Sequence, residues 1–126
     1  MNEGGKSFPK EVILAEKFGR FKEHWRPKII GEVNDFHVKI VKVQGSFEWH
    51  RHENEDELFL VTKGRMTIRL RERDIPLEEG ELLVVPRGIE HMPVAADEAW
   101  VMLLEPKSTV NTGDAGGART VSPEWI

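Results

Sequence analysis

GSFEWHRHENEDELFLVTKG, residues 45–64, is the stretch that decides how the rest of the chain is interpreted. It places His50 and His52 two positions apart and Glu57 at the start of the next apolar run. Side chains two positions apart on a strand project from the same face of a sheet. A loop between the two strands lets Glu57 approach the histidine pair from the adjacent position. The stretch therefore predicts two imidazoles and one carboxylate that lie close together.

A second stretch, GELLVVPRGIEH at residues 80–91, supplies a further histidine. An apolar strand is followed by a tight turn at Pro86 and Gly88, and His91 stands on the returning strand. Three neutral imidazoles and one carboxylate suit a divalent Mn, Fe, Co, Ni or Zn ion. Four such ligands on an octahedral ion leave two positions open, which permits catalysis without requiring it. The predicted metal ligands are His50, His52, Glu57 and His91.

Each of these histidines alone is weak evidence, because a lone histidine on a strand is usually a surface residue or a satisfied core residue. We interpret His24 and His37 in that way, and the acidic run at residues 53–56 as a solvated turn. The combination of a pair, a glutamate and a distant histidine inside two glycine-framed stretches is much more specific. Since the ligating imidazoles must be neutral, we expect metal affinity to fall as the pH drops through about 6.

Short apolar runs separated by turn residues extend on both sides of these stretches. In residues 65–71, apolar and polar residues alternate, which is typical of a strand with one buried face. Many such runs predict an all-β sandwich or barrel. The predicted strands span residues 28–33, 36–43, 45–52, 57–62, 65–71, 82–85, 90–94 and 99–104.

Before the strands, Leu14, Phe18, Phe21 and Trp25 recur at helical spacing. They predict a short N-terminal helix that Pro27 ends and that packs on the outside of the main domain. An alternative interpretation is that Trp25, with its neighbour His24, covers the mouth of a pocket. The predicted organisation is an arm and helix at residues 1–27, a barrel at 28–105 and a tail at 106–126 that packs on the barrel.

The composition limits the classes of function. The chain has 126 residues, which fits one domain, and it contains no cysteine, so disulfides and thiolate metal sites are excluded. Its formal net charge is −4 with both signs interspersed, so we expect no nucleic-acid or membrane partner. Because we find no apolar run of membrane-spanning length and no signal peptide, we expect a cytoplasmic protein.

At these motifs the sequence resembles the cupin superfamily. The first cupin motif, G-x5-H-x-H-x3,4-E-x6-G, matches from Gly45 to Gly64 with four residues instead of five before the first histidine. The second, G-x5-P-x-G-x2-H-x3-N, matches from Gly80 with Ala95 in place of the asparagine. The resemblance implies a double-stranded β-helix, or jelly-roll barrel, with the metal inside one end. It implies the same four ligands, and small cupins of this kind are often similar to mannose-6-phosphate isomerase.

Two functions from different classes remain open. The first is a metalloenzyme, for example an isomerase or a dioxygenase, acting on a sugar, an oxo-acid or a small aromatic molecule. The second is a non-catalytic binding module, or a cupin whose metal only stabilises the barrel. For the first we expect a pocket lined by Phe59, Trp100 and Met102, with Glu48 a better candidate base than Glu90. The resemblance and the exposed edge strands of a small barrel also favour a homodimer.

Overall fold

A computed structural model describes residues 8–126, so residues 1–7 of the predicted arm lie outside the described part. One short helix precedes eight strands. In chain order the elements are α1 (Leu14–Phe18), β1 (Lys28–Val33), β2 (Phe36–Ser46), β3 (Glu57–Lys63), β4 (Met66–Leu70), β5 (Asp74–Leu77), β6 (Leu82–Val85), β7 (His91–Pro106) and β8 (Glu124–Trp125). Within residues 8–126, no helix has the length and apolar character needed to cross a membrane.

The long strand β7 organises the sheet. It pairs antiparallel with β2 along most of its length, from Phe36 opposite Pro106 to Ser46 opposite Val94. The first part of β7 also pairs with β4 and its second part with β3, which in turn pairs with β6. One strand thus joins two groups of strands, and the sheet folds over itself. This architecture confirms the predicted all-β jelly-roll barrel with a short N-terminal helix.

Alternation of inward and outward residues along β3, β4 and most of β7 fills the barrel interior. On β7, Val101 and Leu103 point inward and are buried, while Trp100, Met102 and Leu104 between them point outward. The inward residues of the other strands complete one apolar cluster. Its buried members are Val41, Val43, Phe59, Val61, Met66, Ile68, Leu77, Val85, Ala95, Ala99, Val101 and Leu103. Burying each of the valine, leucine, isoleucine, phenylalanine and methionine side chains of this cluster stabilises the fold by about 1.5–3 kcal/mol.

A second apolar cluster lies on the outer face of the barrel. Phe18 and Phe21 pack there on Ile40, and the ring of Phe18 stacks on Trp100 with centroids 4.6 Å apart. The helical spacing from Leu14 therefore marks residues that pack on the barrel, although the helix itself is only five residues long.

The predicted continuation of the helix to Trp25 is wrong. The helix ends at Phe18 with Gly19 as its C-cap, and Trp25 has a positive φ of 64°, which no α-helix accommodates. The backbone N–H of Trp25 donates to the carbonyl of Lys42, and its indole N–H donates to the carbonyl of Gln44. These two hydrogen bonds attach the segment around Trp25 to β2, and this segment is not helical.

Three strand predictions also differ from the structure. The predicted strand at 45–52 stops at Ser46, and the predicted strands at 90–94 and 99–104 are one continuous strand. β5 was not predicted, because Pro76 interrupts its short run.

At the C-terminal end, β8 pairs in parallel with β1, and the N–H of Ile126 donates to the carbonyl of Ile29. The division at residues 27 and 105 stays a prediction.

Candidate metal centre

Backbone hydrogen bonds bring the four predicted ligands together. His50 and His52 lie on the loop between β2 and β3, Glu57 begins β3, and His91 begins β7. The N–H of His50 donates to the carbonyl of His91 at 3.0 Å, and the N–H of His91 donates back at 2.8 Å. The N–H of Gly88 donates to the carbonyl of His52 at 2.8 Å. The two motif stretches are therefore joined directly at the site.

Two of the imidazoles are fixed through their Nδ1 atoms. Nδ1 of His50 lies 2.8 Å from the carbonyl of Glu48, and Nδ1 of His91 lies 2.9 Å from the carbonyl of Ile89. A carbonyl oxygen can only accept, so each Nδ1 carries the proton and donates it. In the neutral ring the Nε2 atom then keeps its lone pair, which is the arrangement found in metal-ligating histidines.

The atoms predicted to bind the metal converge on one point. One atom from each of the four side chains lies within 4.8 Å of all the others. Oε1 of Glu57 is 3.3 Å from Nε2 of His52 and 3.4 Å from Nε2 of His91. With metal–ligand bonds of about 2.1 Å, neighbouring ligands of an octahedral ion would be about 3.0 Å apart and opposite ones about 4.2 Å apart. The cluster is therefore only slightly wider than an occupied site.

The donor set also fits a metal because its atoms are otherwise unsatisfied. The four side chains are between 1% and 6% exposed. Within residues 8–126, Nε2 of His52, Nε2 of His91 and Oε1 of Glu57 are buried without a hydrogen-bond partner. Buried polar atoms without partners are costly in native structures. A cation between them would satisfy all three, so the residues present fit a divalent metal ion.

The electrostatics of the site keep the ligands in the forms that bind metal. Burial, followed by the neighbouring imidazole of His91, lowers the pKa of His50 from 6.5 to about 4. Burial alone would raise the pKa of Glu57, but its interactions with Glu105, His52 and His91 outweigh burial and lower that pKa well below its usual value. At neutral pH, His50 is therefore neutral and Glu57 is a carboxylate.

A second buried carboxyl group stands beside the centre. Burial and the charge of Glu57 raise the pKa of Glu105 well above its usual value, so the two neighbouring carboxyl groups hold one proton between them. The Nζ of Lys39 donates to Oε2 of Glu105 at 2.6 Å, and both side chains are almost fully buried. A second carboxyl group, held in place by Lys39, thus lies next to Glu57.

A pocket opens onto the cluster from the barrel interior. It holds about 480 Å³ of empty space, including its opening to solvent. Most of its wall is apolar, and Trp25 stacks on Phe47 at the wall with ring centroids 4.9 Å apart. The lining residues are Trp25, Pro27, Val41, Val43, Phe47, His50, Glu57, Phe59, Met66, Pro93, Val101, Leu103, Glu105 and Asn111.

Of the four predicted pocket residues, the structure places only Phe59 in this wall. Trp100 and Met102 lie on the outer face and pack in the second apolar cluster, because they alternate with the inward-facing Val101 and Leu103. The side chain of Glu48 is exposed, with Oε2 3.6 Å from Nε of Arg119, so it is a solvated residue and not a base in the pocket.

Three of the pocket residues that were not predicted, or were predicted only as an alternative, bear on the chemistry of the site: Glu105, Asn111 and Trp25. Glu105 shares the inward parity of Val101 and Leu103, so a charged residue ending an apolar run was the available signal. Asn111 comes from the tail, where no pattern marks it. Trp25 lines the pocket, as the alternative interpretation held, but His24 points elsewhere, with Nε2 2.8 Å from Oε2 of Glu98.

Comparison with known proteins identifies the family. A family model described as Cupin domain matches residues 37–106, more than half of the chain. A solved cupin-2 domain-containing protein from Shewanella frigidimarina is 43% identical, with a TM-score of 0.75, over 75% of this chain and 93% of that one. A sugar phosphate isomerase of a cupin superfamily from Silicibacter pomeroyi is 18% identical with a TM-score of 0.52, over 59% of this chain and 52% of that one, which shows the fold alone.

Two curated relatives match over shorter regions. The uncharacterized protein YdbB of Bacillus subtilis is 35% identical over 63 residues, which is 49% of this chain and 56% of that protein. The 3-hydroxyanthranilate 3,4-dioxygenase 2 of Aspergillus fumigatus is 33% identical over 89 residues, 66% of this chain and 46% of that enzyme. The chain thus spans about half the length of these relatives. The barrel, the two histidine motifs and these matches together show that the chain belongs to the cupin family.

Proposed function

We propose that this cupin binds one divalent metal ion through His50, His52, Glu57 and His91, and that the metal binds and acts on a small aromatic molecule in the adjoining pocket. The observation that carries the proposal is the set of buried, unpartnered ligand atoms beside a mostly apolar pocket whose wall includes His50 and Glu57. When bound, the metal would supply a Lewis acid for oxygen atoms of the substrate. Mn, Fe, Co, Ni and Zn all suit this ligand set.

The pocket wall favours an aromatic substrate over a sugar phosphate. Trp25, Phe47 and Phe59 offer ring faces and edges, and aliphatic side chains fill most of the remaining wall. A sugar phosphate needs many hydrogen-bond partners for its hydroxyl and phosphate groups, whereas most of this wall is apolar. The likeness to 3-hydroxyanthranilate 3,4-dioxygenase 2 supports the same choice. The alternative, an activity like that of mannose-6-phosphate isomerase, is supported here by the shared fold alone.

The chain's own residues have distinct roles in this proposal. The aromatic wall holds the ring of the substrate and excludes water from the metal. Glu105 is the carboxyl group closest to the ligands that can accept or return a proton, and Lys39 holds it in place at 2.6 Å. A metal that only stabilised the barrel would need no such pocket. The additional polar side chains Glu105 and Asn111 therefore favour a ligand-binding site over a purely structural one.

A homodimer is also part of the proposal. Among the described residues, β6 pairs only with β3, so it leaves one strand edge free. On this strand Leu82 and Val84 are 54% and 47% exposed, and opposite them on β3 lie Leu60 and Leu58. An apolar edge of this kind is a ready surface for pairing with a second copy. Light scattering at high concentration tests it, since a monomeric mass would contradict the dimer. We keep the cytoplasmic location as a proposal that cell fractionation tests.

Ligand binding by the metal-loaded protein tests the substrate class. The protein is loaded separately with each of the five metals, and its melting temperature is recorded with 3-hydroxyanthranilate, with catechol and with mannose 6-phosphate. We expect the aromatic compounds to raise the melting temperature of the metal-loaded protein and to have little effect on the Glu57→Gln variant. Stabilisation by mannose 6-phosphate alone, or equal stabilisation without metal, would contradict the proposal. Oxygen consumption with the iron form then separates a dioxygenase from a binding module.

A further inference from the structure

The loop that carries two of the proposed ligands has little sheet support of its own. β2 ends at Ser46 and β3 begins at Glu57, so His50 and His52 lie between the two strands. Their backbone is held on one side by the hydrogen bonds to His91 and Gly88. A metal site needs its ligands held to within about 0.5 Å. Some other part of the chain must therefore fix the remaining side of this loop.

The tail supplies that second side. Arg51 stands between the two histidines, and both of its backbone groups bond to Asp114. The N–H of Arg51 donates to Oδ1 of Asp114 at 2.8 Å, and the N–H of Asp114 donates to the carbonyl of Arg51 at 3.0 Å. On either side, Oγ of Ser108 donates to Oε2 of Glu55, and Nη1 of Arg119 donates to the carbonyl of Ser46. The tail thus forms hydrogen bonds with the ligand loop along its length, from Ser46 to Glu55.

The approach is closest at Gly113. A Cβ atom at this position would lie 2.3 Å from the carbonyl oxygen of Arg51 and 3.1 Å from Cδ2 of His50. Cδ2 is bonded to Nε2, so the backbone of Gly113 lies against the side of the imidazole next to its ligating atom. Gly113 also has a φ of 53°, which favours glycine. Only a residue without a side chain lets the tail approach the loop this closely.

We propose that the tail contributes to the metal site through Gly113 and Asp114, two positioning residues that hold His50 and His52 in ligating geometry. This inference rests on the proposed metal binding. Asn111 extends the same segment into the pocket wall, and its side chain is fixed by Arg119 and Val121 through hydrogen bonds of 2.9 and 3.0 Å. The segment lies outside residues 37–106, which the cupin model matches, so it is a feature of this chain beyond that match.

Two glycines of the tail provide a matched comparison. Gly113 and Gly116 have similar φ angles of 53° and 60°, so alanine is strained to a similar degree at both. A Cβ at Gly116 meets nothing within 4 Å. A Cβ at Gly113 would have to move from 2.3 Å to at least 3.0 Å from the Arg51 oxygen, a shift of 0.7 Å or more. Gly113→Ala therefore displaces the ligand loop, whereas Gly116→Ala tests backbone strain alone.

The probe is Co²⁺, because its visible absorption spectrum reports the ligand geometry. We expect Gly113→Ala to weaken Co²⁺ binding by about tenfold or more and to change the spectrum, with Gly116→Ala within about twofold of the wild type. Asp114→Ala should weaken binding in the same way, and Asp114→Asn, which keeps an acceptor oxygen, should restore most of it. If Gly113→Ala fails to fold, the variants Asp114→Ala and Asp114→Asn still test whether the tail positions the ligands.

Unchanged Co²⁺ affinity and spectrum in both Gly113→Ala and Asp114→Ala would overturn the role of the tail. Equal losses in Gly113→Ala and Gly116→Ala would also overturn it, because strain alone would then be the cause. A wild-type protein that binds no Co²⁺, Mn²⁺ or Zn²⁺ would instead contradict the proposed metal site. The two failures are therefore distinguishable.

Discussion

Replacing His50 by glutamine should remove a large part of the acid sensitivity of the metal-free protein. The pKa of His50 falls from 6.5 to about 4 on folding, mainly because the imidazole is buried. Above pH 6.5 the ring is neutral in both states and contributes no pH dependence. Below pH 6.5 the unfolded chain takes up a proton that the folded chain refuses, so the free energy of unfolding falls until the pH reaches about 4.

The size of the effect follows from the same shift. A change of about 2.5 pKa units, at roughly 1.36 kcal/mol per unit, corresponds to about 3 kcal/mol of stability lost across this window. Glutamine does not titrate, so the His50→Gln variant lacks this loss. Its absolute stability differs at every pH, because the substitution changes the packing. The informative quantity is therefore the change with pH in each protein, not the difference at one pH.

Urea denaturation of the metal-free proteins, with a chelator present, measures the free energy of unfolding at intervals between pH 7.5 and 4.5. We expect the wild type to lose about 2–3 kcal/mol more than His50→Gln over this range. Parallel curves, within about 0.5 kcal/mol, would refute the buried and neutral state of His50. The same shift modifies an expectation drawn from the sequence: proton competition at His50 begins near pH 4 and not near pH 6.

Two other substitutions test the surroundings of the site. Lys39→Met leaves the buried carboxyl group of Glu105 without the hydrogen bond that Lys39 donates, so we expect a loss of about 1–3 kcal/mol by urea denaturation, and a smaller loss in the double variant Lys39→Met with Glu105→Leu. If the double variant is the less stable of the two, the pair is not coupled. Phe18→Ala removes a fully buried ring from the outer cluster, so it should cost about 3–5 kcal/mol while leaving Co²⁺ affinity unchanged. A parallel loss of affinity would show that the outer cluster supports the metal site.

The sequence predicts the fold and the ligand cluster well because both depend on local spacing. His50 and His52 stand two positions apart, and the Pro86–Gly88 turn returns the chain to place His91 beside them. The structure brings all four predicted ligands together as a buried cluster. Their role in binding a metal stays a prediction until it is measured.

The pocket wall is less predictable, since it depends on which face of each strand points inward. In the run from Trp100 to Leu104 both faces are apolar, so alternation does not identify the inner one. The tightly packed Phe18 covers Trp100 from outside and decides the orientation. Contacts between residues that are far apart in the chain leave no local pattern in the sequence. The pairing of Arg51 with Asp114, 63 positions away, and the entry of Asn111 into the pocket are visible only in three dimensions.

The central claim is that His50, His52, Glu57 and His91 hold one divalent metal ion, and elemental analysis tests it most directly. The wild type and a His50→Ala, His52→Ala double variant are loaded with Mn²⁺ or Zn²⁺, freed of excess metal by gel filtration and analysed for metal per chain. Circular dichroism confirms that the variant is folded. We predict about one metal ion per wild-type chain and almost none in the variant. Equal metal content in the two folded proteins would contradict the account.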